Sequence, residues 1–339
     1  MGNLIISGAP LAHAPSDETA EEGDSAADVE IRCVTVPLEN HGSRLDRTLA
    51  ALVPEFSRSY LQQLIEAGVV QLNGSVIAKT SAKTKAGDDL LIELRPTPQS
   101  QAFVPEAMAL DIVFEDAHLM VVNKPAGLVV HPAPGNWRGT LLNGLLAKDS
   151  RASFLPRAGI VHRLDKDTSG LMVVAKQRTV MDRLVALIAA RQVSREYLAL
   201  AHGRWAGSRT RLIDEPMGRD PRNRLRMAVV DLEKNSGKPA STVVSLLQST
   251  EGYCLVNCKL HTGRTHQIRV HMAFLGHALV GDELYGGMPA GGLQRQGLHA
   301  CRLAFEHPAT GAAMEFRSHP PVDLQTAIAD LGLIYTEAL

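Results

Sequence analysis

The polar residues between positions 162 and 167 are the ones whose types and spacing could do chemistry. His162, Arg163, Asp165 and Asp167 stand together between two short apolar, β-branched runs. Runs of this kind are typical of buried strands. A carboxylate at the end of a buried strand, beside basic groups, has the setting of a nucleophile or a general base.

Other interpretations of this segment compete with a reactive aspartate. The residues could form a surface turn with solvated charges, and spacing alone leaves that open. Asp165, Asp167 and Ser169 copy the opening of a calcium-binding loop, but Lys176 stands where the bidentate glutamate belongs, and a cation there repels calcium. A phosphatase-type aspartate would follow an unbroken apolar strand, which this segment lacks. The surface turn and a single reactive aspartate, Asp165, therefore remain.

Strand periodicity predicts how this segment is held. If residues 160–165 form a strand, the period of two places Arg163 and Asp165 on one face and Leu164 in the core. The polar turn that follows would return the chain to the core at Leu171. We therefore expect the two charged groups to face the same space.

A second strand is predicted at residues 267–271, where two aliphatic side chains alternate with Arg269. The nearby histidines, His261, His266 and His271, are five residues apart. On a strand this spacing alternates faces, so it does not gather them round a metal. We expect no metal site there.

Four separated motifs resemble those of a known family, the RNA pseudouridine synthases of the ribosomal large-subunit class. Residues 162–170 match its His-Arg-Leu-Asp-x-x-Thr-Ser-Gly signature, and the four motifs occur along the chain in the family's order. The other three are residues 121–132 (VVNKPAGLVVHP), 195–199 (REYLA) and 262–271 (TGRTHQIRVH). The resemblance is greatest to the D-type members, which modify loop uridines of 23S rRNA. It implies an α+β chain whose catalytic domain, residues 107–339, has a large mixed, mainly antiparallel sheet flanked by helices.

The resemblance also implies roles for four residues. Asp165 would attack C1′ of the uridine or remove a proton from C2′. Tyr197 would stack on the flipped base and help to move the C5 proton, although sequence alone favours a strand tyrosine packed in the core. Arg269 would form an ion pair with Asp165, and Arg163 would fill the space that the flipped base leaves. Because the reaction conserves atoms, we expect no cofactor and no metal.

Residues 29–95 form a separate predicted module. Leucines at i, i+4 and i+7 predict a helix over residues 45–52, and a second helix runs from about Ser57 to Gly68. An Asn73-Gly74 turn predicts a hairpin, followed by a strand near residues 90–94. This order resembles an S4-type RNA-binding domain. Its expected phosphate contacts are Arg44, Arg47, Arg58, Lys79, Lys83 and Lys85.

The net charge of −1 hides an uneven distribution. Residues 1–30 hold seven acids and no base, so the remainder has 35 bases, 29 acids and a charge of +6. Residues 1–28 have no apolar period, and we expect a disordered acidic tail. A proline-bearing polar linker is expected at residues 96–106.

Composition bounds the location of the protein. No apolar run approaches 18 residues, which predicts no membrane span, and the first basic residue is Arg32, which leaves no secretory signal. We expect a cytoplasmic protein whose four scattered cysteines are reduced and structural.

Three arginines, Arg222, Arg224 and Arg226, form a cluster directly after Pro221. Such a run is usually a solvated face. In an RNA enzyme we favour a hairpin that closes on phosphates.

The sequence therefore predicts a monomeric isomerase that acts on 23S rRNA or a large-subunit precursor. One alternative is a pseudouridine synthase for tRNA or another rRNA site. The other is a non-catalytic S4-type RNA-binding or ribosome-assembly factor that has kept the fold.

Overall fold

A computed structural model describes residues 30–94, 102–133 and 135–336 of the chain. The predicted tail, and the linker up to residue 101, lie outside the described residues. The chain divides into two compact units, residues 1–97 and residues 98–339. In the described part, no helix is both long enough and apolar enough to cross a membrane.

The first unit packs two helices on a small antiparallel sheet of order β1-β4-β2-β3. Its elements are β1 (Glu30–Thr35), α1 (Leu45–Leu52), α2 (Arg58–Glu66), β2 (Val70–Leu72), β3 (Ser75–Val76) and β4 (Asp89–Leu94). The predicted helices and hairpin are confirmed. Ser57 accepts the Tyr60 N–H and caps α2. Asn73 and Gly74 have φ of 50° and 76°, the values of a tight two-residue hairpin turn.

The second unit is built on a nine-stranded sheet of order β5-β6-β7-β15-β8-β14-β13-β9, with β16 paired to β15. Its longer strands and helices, in chain order, are β5 (Ile112–Glu115), β6 (Leu119–Lys124), α3 (Leu141–Lys148), β7 (Ser169–Ala175), α4 (Arg178–Ala189), β8 (Ser194–His202) and β9 (Thr210–Ile213). There follow β10 (Met217–Arg219), β11 (Met227–Val229), β12 (Gly237–Lys238), β13 (Thr242–Ser249), β14 (Tyr253–Leu260), α5 (Gln267–Phe274), β15 (Leu298–Glu306), β16 (Ala313–Arg317) and α6 (Val322–Asp330).

All pairs in the large sheet are antiparallel except β7 with β15, which are parallel. The expected α+β fold with a mixed, mainly antiparallel sheet is confirmed. Both faces of the central strands are covered. Met172 and Val174 of β7 enter one core, whereas Leu171 and Val173 enter another with α4. Burial on both faces explains why residues 171–175 of β7 are all apolar.

A separate three-stranded sheet of order β11-β10-β12 carries the arginine cluster. The connection between β10 and β11, residues 220–226, lies at the surface. The predicted hairpin therefore exists.

The strand predicted at residues 160–165 is wrong. Only Ile160 makes a bridge, to Val174, and the chain then leaves the sheet until β7 begins at Ser169. The β-branched run before the polar residues is too short to extend a ladder. Leu164 is nevertheless buried, because it anchors the loop in the core.

The strand predicted at residues 267–271 is also wrong, because these residues open helix α5. Residues 267–272 are all buried. A helix that is buried on every side shows no polar stripe, and so its period cannot be read from the sequence. His266 precedes it in the left-handed conformation, and His261, His266 and His271 are thus separated by a turn and a helix, not by strand alternation.

Candidate active site

A cleft of about 740 Å³ in the second unit collects the predicted reactive residues. Asp165, Arg163, Tyr197 and Arg269 all line it, although they come from a loop, from β8 and from α5. Their neighbours in the wall are strongly basic. Six arginines line the cleft against one carboxylate, that of Asp165.

The two carboxylate oxygens of Asp165 have different surroundings. Oδ2 accepts a hydrogen bond from Nη1 of Arg269 at 3.2 Å. Oδ1 accepts none from the described residues and lies 3.9 Å from Nε2 of His266. The side chain is 16% exposed. One oxygen is therefore held in place while the other keeps its lone pairs for a substrate.

Arg269 is shared between two carboxylates. Its Nε and Nη2 donate to the two oxygens of Asp282 at 2.7 and 2.8 Å, which leaves Nη1 for Asp165. Burial alone would lower the pKa of Arg269, but the bonds and charge of Asp282 and Asp165 raise it above its ordinary value. The guanidinium also lies 5.0 Å from the ring centre of Tyr285. The orientation of Arg269 is thus fixed, and Nη1 is the nitrogen that points to Asp165.

Tyr285 and His266 close the same side of the site. The Tyr285 hydroxyl lies 2.8 Å from Nδ1 of His266 and accepts the Met227 N–H at 3.1 Å. Burial lowers the pKa of His266, an effect that the nearby Asp165 charge opposes. These contacts fix the His266 ring beside the reactive carboxylate.

The loop that carries Asp165 is tied down from one side by Lys124. This residue is 1% exposed, and its Nζ donates to the Lys166 carbonyl at 2.9 Å and to two carbonyls of its own loop. All three donors of the ammonium group are used, although burial lowers the pKa of Lys124 to about 7. Lys124 therefore positions the backbone next to Asp165.

Two residues just before β15 hold the other side of the turn. Nη1 of Arg295 donates to the Asp167 carbonyl at 2.9 Å, and Nε2 of Gln296 donates to Oγ1 of Thr168 at 3.3 Å. Within the turn, the Thr168 N–H returns to the Asp165 carbonyl. The reactive loop is consequently rigid although it contains no strand.

Tyr197 and Arg163 present different surfaces to the cleft. Tyr197 is 5% exposed, and burial raises the pKa of its hydroxyl to about 12, so it is neutral at pH 7. Its ring lies in the main core cluster beside the cleft. Arg163 is exposed and forms no hydrogen bond or ion pair with the described residues. One residue offers a fixed ring and the other a free cation.

His162 has a structural contact. Its Nε2 accepts the Val173 N–H at 3.1 Å, and burial lowers its pKa to about 3. Within residues 30–94, 102–133 and 135–336, no three or more His, Cys, Asp or Glu side chains form a group that could hold a metal ion.

The basic residues predicted to contact phosphates in the first unit differ in their environment. Arg44 and Arg58 both bind the fully buried carboxylate of Asp46, and Nζ of Lys83 donates to the Gly42 carbonyl. The remaining predicted contacts are exposed: Arg47, Lys79 and Lys85. Arg44 and Arg58 therefore hold the fold of this unit, and their contact with RNA stays a prediction.

The arginine cluster is similarly divided. Arg222 and Arg224 are exposed, whereas Nε of Arg226 donates to Asp220 at 2.6 Å. Asp220 also accepts the Arg222 N–H and is 6% exposed. The connection thus presents two free arginines on a base that Asp220 and Arg226 hold together.

Comparison with known proteins now decides the family. Residues 118–274 match the RNA pseudouridylate synthase family and residues 43–90 the S4 domain. The ribosomal large subunit pseudouridine synthase D of Neisseria meningitidis is 48% identical over 323 residues, 91% of this chain and 84% of the relative. The chain belongs to the RNA pseudouridine synthase family. The synthase D of Xanthomonas campestris is 42% identical over 93% of this chain and 96% of its own.

A solved structure agrees with this pseudouridine synthase assignment. Human RNA pseudouridylate synthase domain containing 1 superposes with a TM-score of 0.51 and 27% identity over 66% of this chain and 87% of its own. The isomerase class expected from the motifs is therefore confirmed, as is the S4 domain.

Sequence reasoning missed several residues of this pseudouridine synthase site. They are Lys124, Arg195, His266 as a neighbour of Asp165, Asp282, Tyr285, Arg295 and Gln296. One signal was available for Asp282, since it follows the apolar run 278–280 after a single glycine, Gly281, and a carboxylate near the end of an apolar run also drew attention to Asp165. The others carry no local signal, because their partners are distant in the chain.

Proposed function

We propose that this synthase converts loop uridines of 23S rRNA, free or in a precursor of the large subunit, to pseudouridine. Relatives named ribosomal large subunit pseudouridine synthase D share 41–48% of their residues with it over 86–93% of the chain. The single observation that carries the chemistry is the Asp165 carboxylate, with one oxygen on Arg269 and the other facing a basic cleft.

Asp165 is the group that reacts with the sugar. Isomerisation breaks the bond from N1 to C1′, turns the uracil and joins C5 to C1′. A carboxylate suits an electron-poor C1′, and Oδ1 either attacks that carbon or removes the C2′ proton. Arg269 holds one oxygen of this carboxylate at 3.2 Å and so fixes its orientation. No atom is gained or lost, so the proposal includes no cofactor, metal or energy source.

Arg163 and Tyr197 handle the base. A uridine must leave its stack before C1′ can be reached, and extrusion costs a few kcal/mol. The exposed, unpaired guanidinium of Arg163 fills the vacated position and offsets part of that cost. Tyr197 stacks on the extruded base. Because its hydroxyl is neutral at pH 7, it assists transfer of the C5 proton as a hydrogen-bonding group and not as a phenolate.

Asp282 is a positioning residue for Arg269. Its two bonds restrict the guanidinium to one rotation, and only then does Nη1 point at Asp165. Free rotation would let Arg269 bind Asp165 with both terminal nitrogens and cover Oδ1. The buried carboxylate thus keeps the reactive oxygen open.

RNA is held by both units. Residues 29–95 supply the S4-type contacts, with Arg44, Arg47, Arg58 and Lys83 among them, and residues 107–339 supply the catalytic domain. Arg222, Arg224 and Arg226 add phosphate contacts from the β10–β11 connection. The proposed active form is a monomer. Bacterial 23S rRNA is made in the cytoplasm, where we expect the enzyme to act.

Mapping of pseudouridine in total RNA from cells with and without the protein tests the substrate. The proposal expects the loss of specific positions in 23S rRNA on deletion. Loss confined to tRNA or to another rRNA would show that the protein is a pseudouridine synthase with a different substrate. No change in any RNA would favour the non-catalytic ribosome-assembly factor.

An Asp165→Asn variant tests the chemistry. Asn has nearly the shape of Asp but is a poor nucleophile, so product formation should fall by about 10⁴ or more. RNA affinity should stay within about tenfold, roughly 1.4 kcal/mol. Asp167→Asn is the matched control and should retain most activity, because only the backbone carbonyl of Asp167 is bound, to Arg295. Comparable turnover by Asp165→Asn and wild type would contradict the mechanism.

A further inference from the structure

Arg195 on β8 is a buried cation that has no hydrogen-bond or ion-pair partner among the described residues. Its side chain lines the cleft, and the residue is 6% exposed. The strand period places it on the same face as Tyr197. Its Nε is buried without an acceptor, and no carboxylate of the described residues lies within ion-pair distance of its guanidinium. Its Nε donor is thus unsatisfied at the wall of the cleft, and its terminal nitrogens have no acceptor among the described residues.

The other buried cations of this unit are all matched. Arg269 has two carboxylates and Lys124 has three carbonyl oxygens. A buried charge with no partner is strongly unfavourable, and folded proteins seldom keep one. The exception at Arg195 lies in a cleft that ligands can enter, so the missing partner is expected to come from a ligand.

The backbone around Arg195 leaves room for a guanidinium. A Cβ added to Gly263 would lie 2.8 Å from Nη1 of Arg195 and 3.7 Å from Cζ. The glycine therefore lets the planar group lie flat against the loop after β14. The only acid among the cleft-lining residues, Asp165, already binds Arg269. The cleft offers Arg195 no internal anion.

We propose that Arg195 binds a phosphate of the RNA strand whose uridine enters the cleft. This inference rests on the proposed function only in that RNA occupies the cleft. A phosphate supplies the full charge that a buried guanidinium lacks, in a geometry that its fork matches with two bonds. A uracil carbonyl is neutral and supplies one acceptor. Two residues of strand separate Arg195 from Tyr197 by roughly 7 Å, which places it beside the backbone when a base stacks on Tyr197.

The first experiment compares stability with affinity in an Arg195→Met variant. Met has similar length and no charge, so the free protein should unfold at the same temperature or higher, because an unmatched buried charge is removed. Its affinity for a stem-loop RNA from 23S rRNA should fall about 10- to 100-fold. The slope of log affinity against log salt should shrink by about 0.7–0.9. Arg195→Lys should recover part of the affinity.

A purely structural arginine predicts the opposite result. Arg195→Met would then unfold at a lower temperature and bind RNA with an unchanged salt slope. Either finding overturns the inference. Failure of the wild-type protein to bind the stem-loop would overturn both this inference and the proposed function.

The second experiment locates the phosphate. Each loop linkage of the stem-loop is replaced in turn by an uncharged methylphosphonate, with a 2′-deoxyribose at that position in both the test and the reference RNA. Binding is measured with Asp165→Asn, which leaves the RNA unmodified. One linkage should weaken binding about tenfold or more, and the same change should have no effect once Arg195→Met is added. Additive effects at every linkage would refute the assignment.

Arg191→Met is the matched control. Arg191 lines the same cleft but is exposed, so its loss should lower the salt slope and remain additive with the linkage found for Arg195. Equal coupling of both arginines to that linkage would refute a specific site. Pseudouridine formation by wild type on the unmodified RNA is measured separately. If Arg195 is coupled to one linkage but wild type forms no pseudouridine, the proposed function is refuted and the phosphate contact of Arg195 stands. If wild type forms pseudouridine but Arg195 is coupled to no linkage, only the phosphate contact of Arg195 is refuted.

Discussion

Replacement of Asp282 by Asn tests how Arg269 is held. The carboxylate is buried, and its two bonds to Arg269 measure 2.7 and 2.8 Å. An amide keeps one acceptor and turns an NH₂ group toward the guanidinium. Removing one partner of a buried ion pair costs about 3–5 kcal/mol, and since Arg269 keeps Asp165 we expect about 3 kcal/mol. The thermal midpoint should fall by about 6–12 °C, at roughly 2–4 °C per kcal/mol.

The same Asp282→Asn change should slow the reaction. One charge-assisted hydrogen bond contributes about 1.5–3 kcal/mol, and its loss frees Arg269 to rotate over Asp165. The single-turnover rate of pseudouridine formation should therefore drop about 10- to 150-fold. It is measured at a temperature where circular dichroism shows the variant to be folded. RNA affinity should change little, because Asp282 does not line the cleft.

Two further variants separate stability from chemistry. Asp282→Asn combined with Arg269→Gln removes both charges, so stability should recover while the rate stays low, since Asp165 then has no cation. Asp182→Asn breaks a two-oxygen contact with Arg178 on exposed α4 and should leave stability and rate nearly unchanged. A folded Asp282→Asn protein with the wild-type rate would refute the positioning role.

Two other predictions concern RNA affinity and pH. Replacing Arg222, Arg224 and Arg226 together by Ala should weaken RNA binding with little change in sequence preference, and it should lower the slope of log affinity against log salt by about 0.9 per phosphate contact. Arg178→Ala is the control. An unchanged slope would show that the cluster is a solvated surface that does not contact RNA. Burial lowers the pKa of His299 to about 4, so the unfolded state binds this proton first as pH falls below about 6.5. Protonation of His299 should therefore lower the free energy of unfolding by about 1.4 kcal/mol per pH unit down to about pH 4, as measured by urea titration. The His299→Gln variant should lack this contribution to the pH dependence.

The helices and the hairpin of the first unit could be predicted from short-range sequence patterns. The helix α1 follows the spacing of Leu45, Leu49 and Leu52, and α2 begins after the cap at Ser57. The hairpin follows from Asn73-Gly74. Each signal depends on residues within a few positions of one another, so no distant contact is needed to interpret it.

The reactive segments of the second unit were harder to interpret. The motif identified Asp165 and Arg269, but both strands predicted around them were wrong, one being a loop and the other α5. Short apolar runs fit a strand, a buried helix or an anchored loop equally well. Which of these forms depends on what covers the segment, and here cover comes from elements far along the chain.

By itself the sequence determined the family, the order of the domains and the α+β class, and it predicted Asp165 as the reactive carboxylate, because these follow from motif order and local pattern. Only the tertiary structure decided which buried charges are matched. Arg269 meets Asp165 across 104 residues, and Lys124 meets the Lys166 carbonyl across 42. Arg195 meets no acceptor among the described residues. An arginine that is paired and one that is not look alike in a sequence, since the difference lies in the acceptors that packing brings within 3 Å.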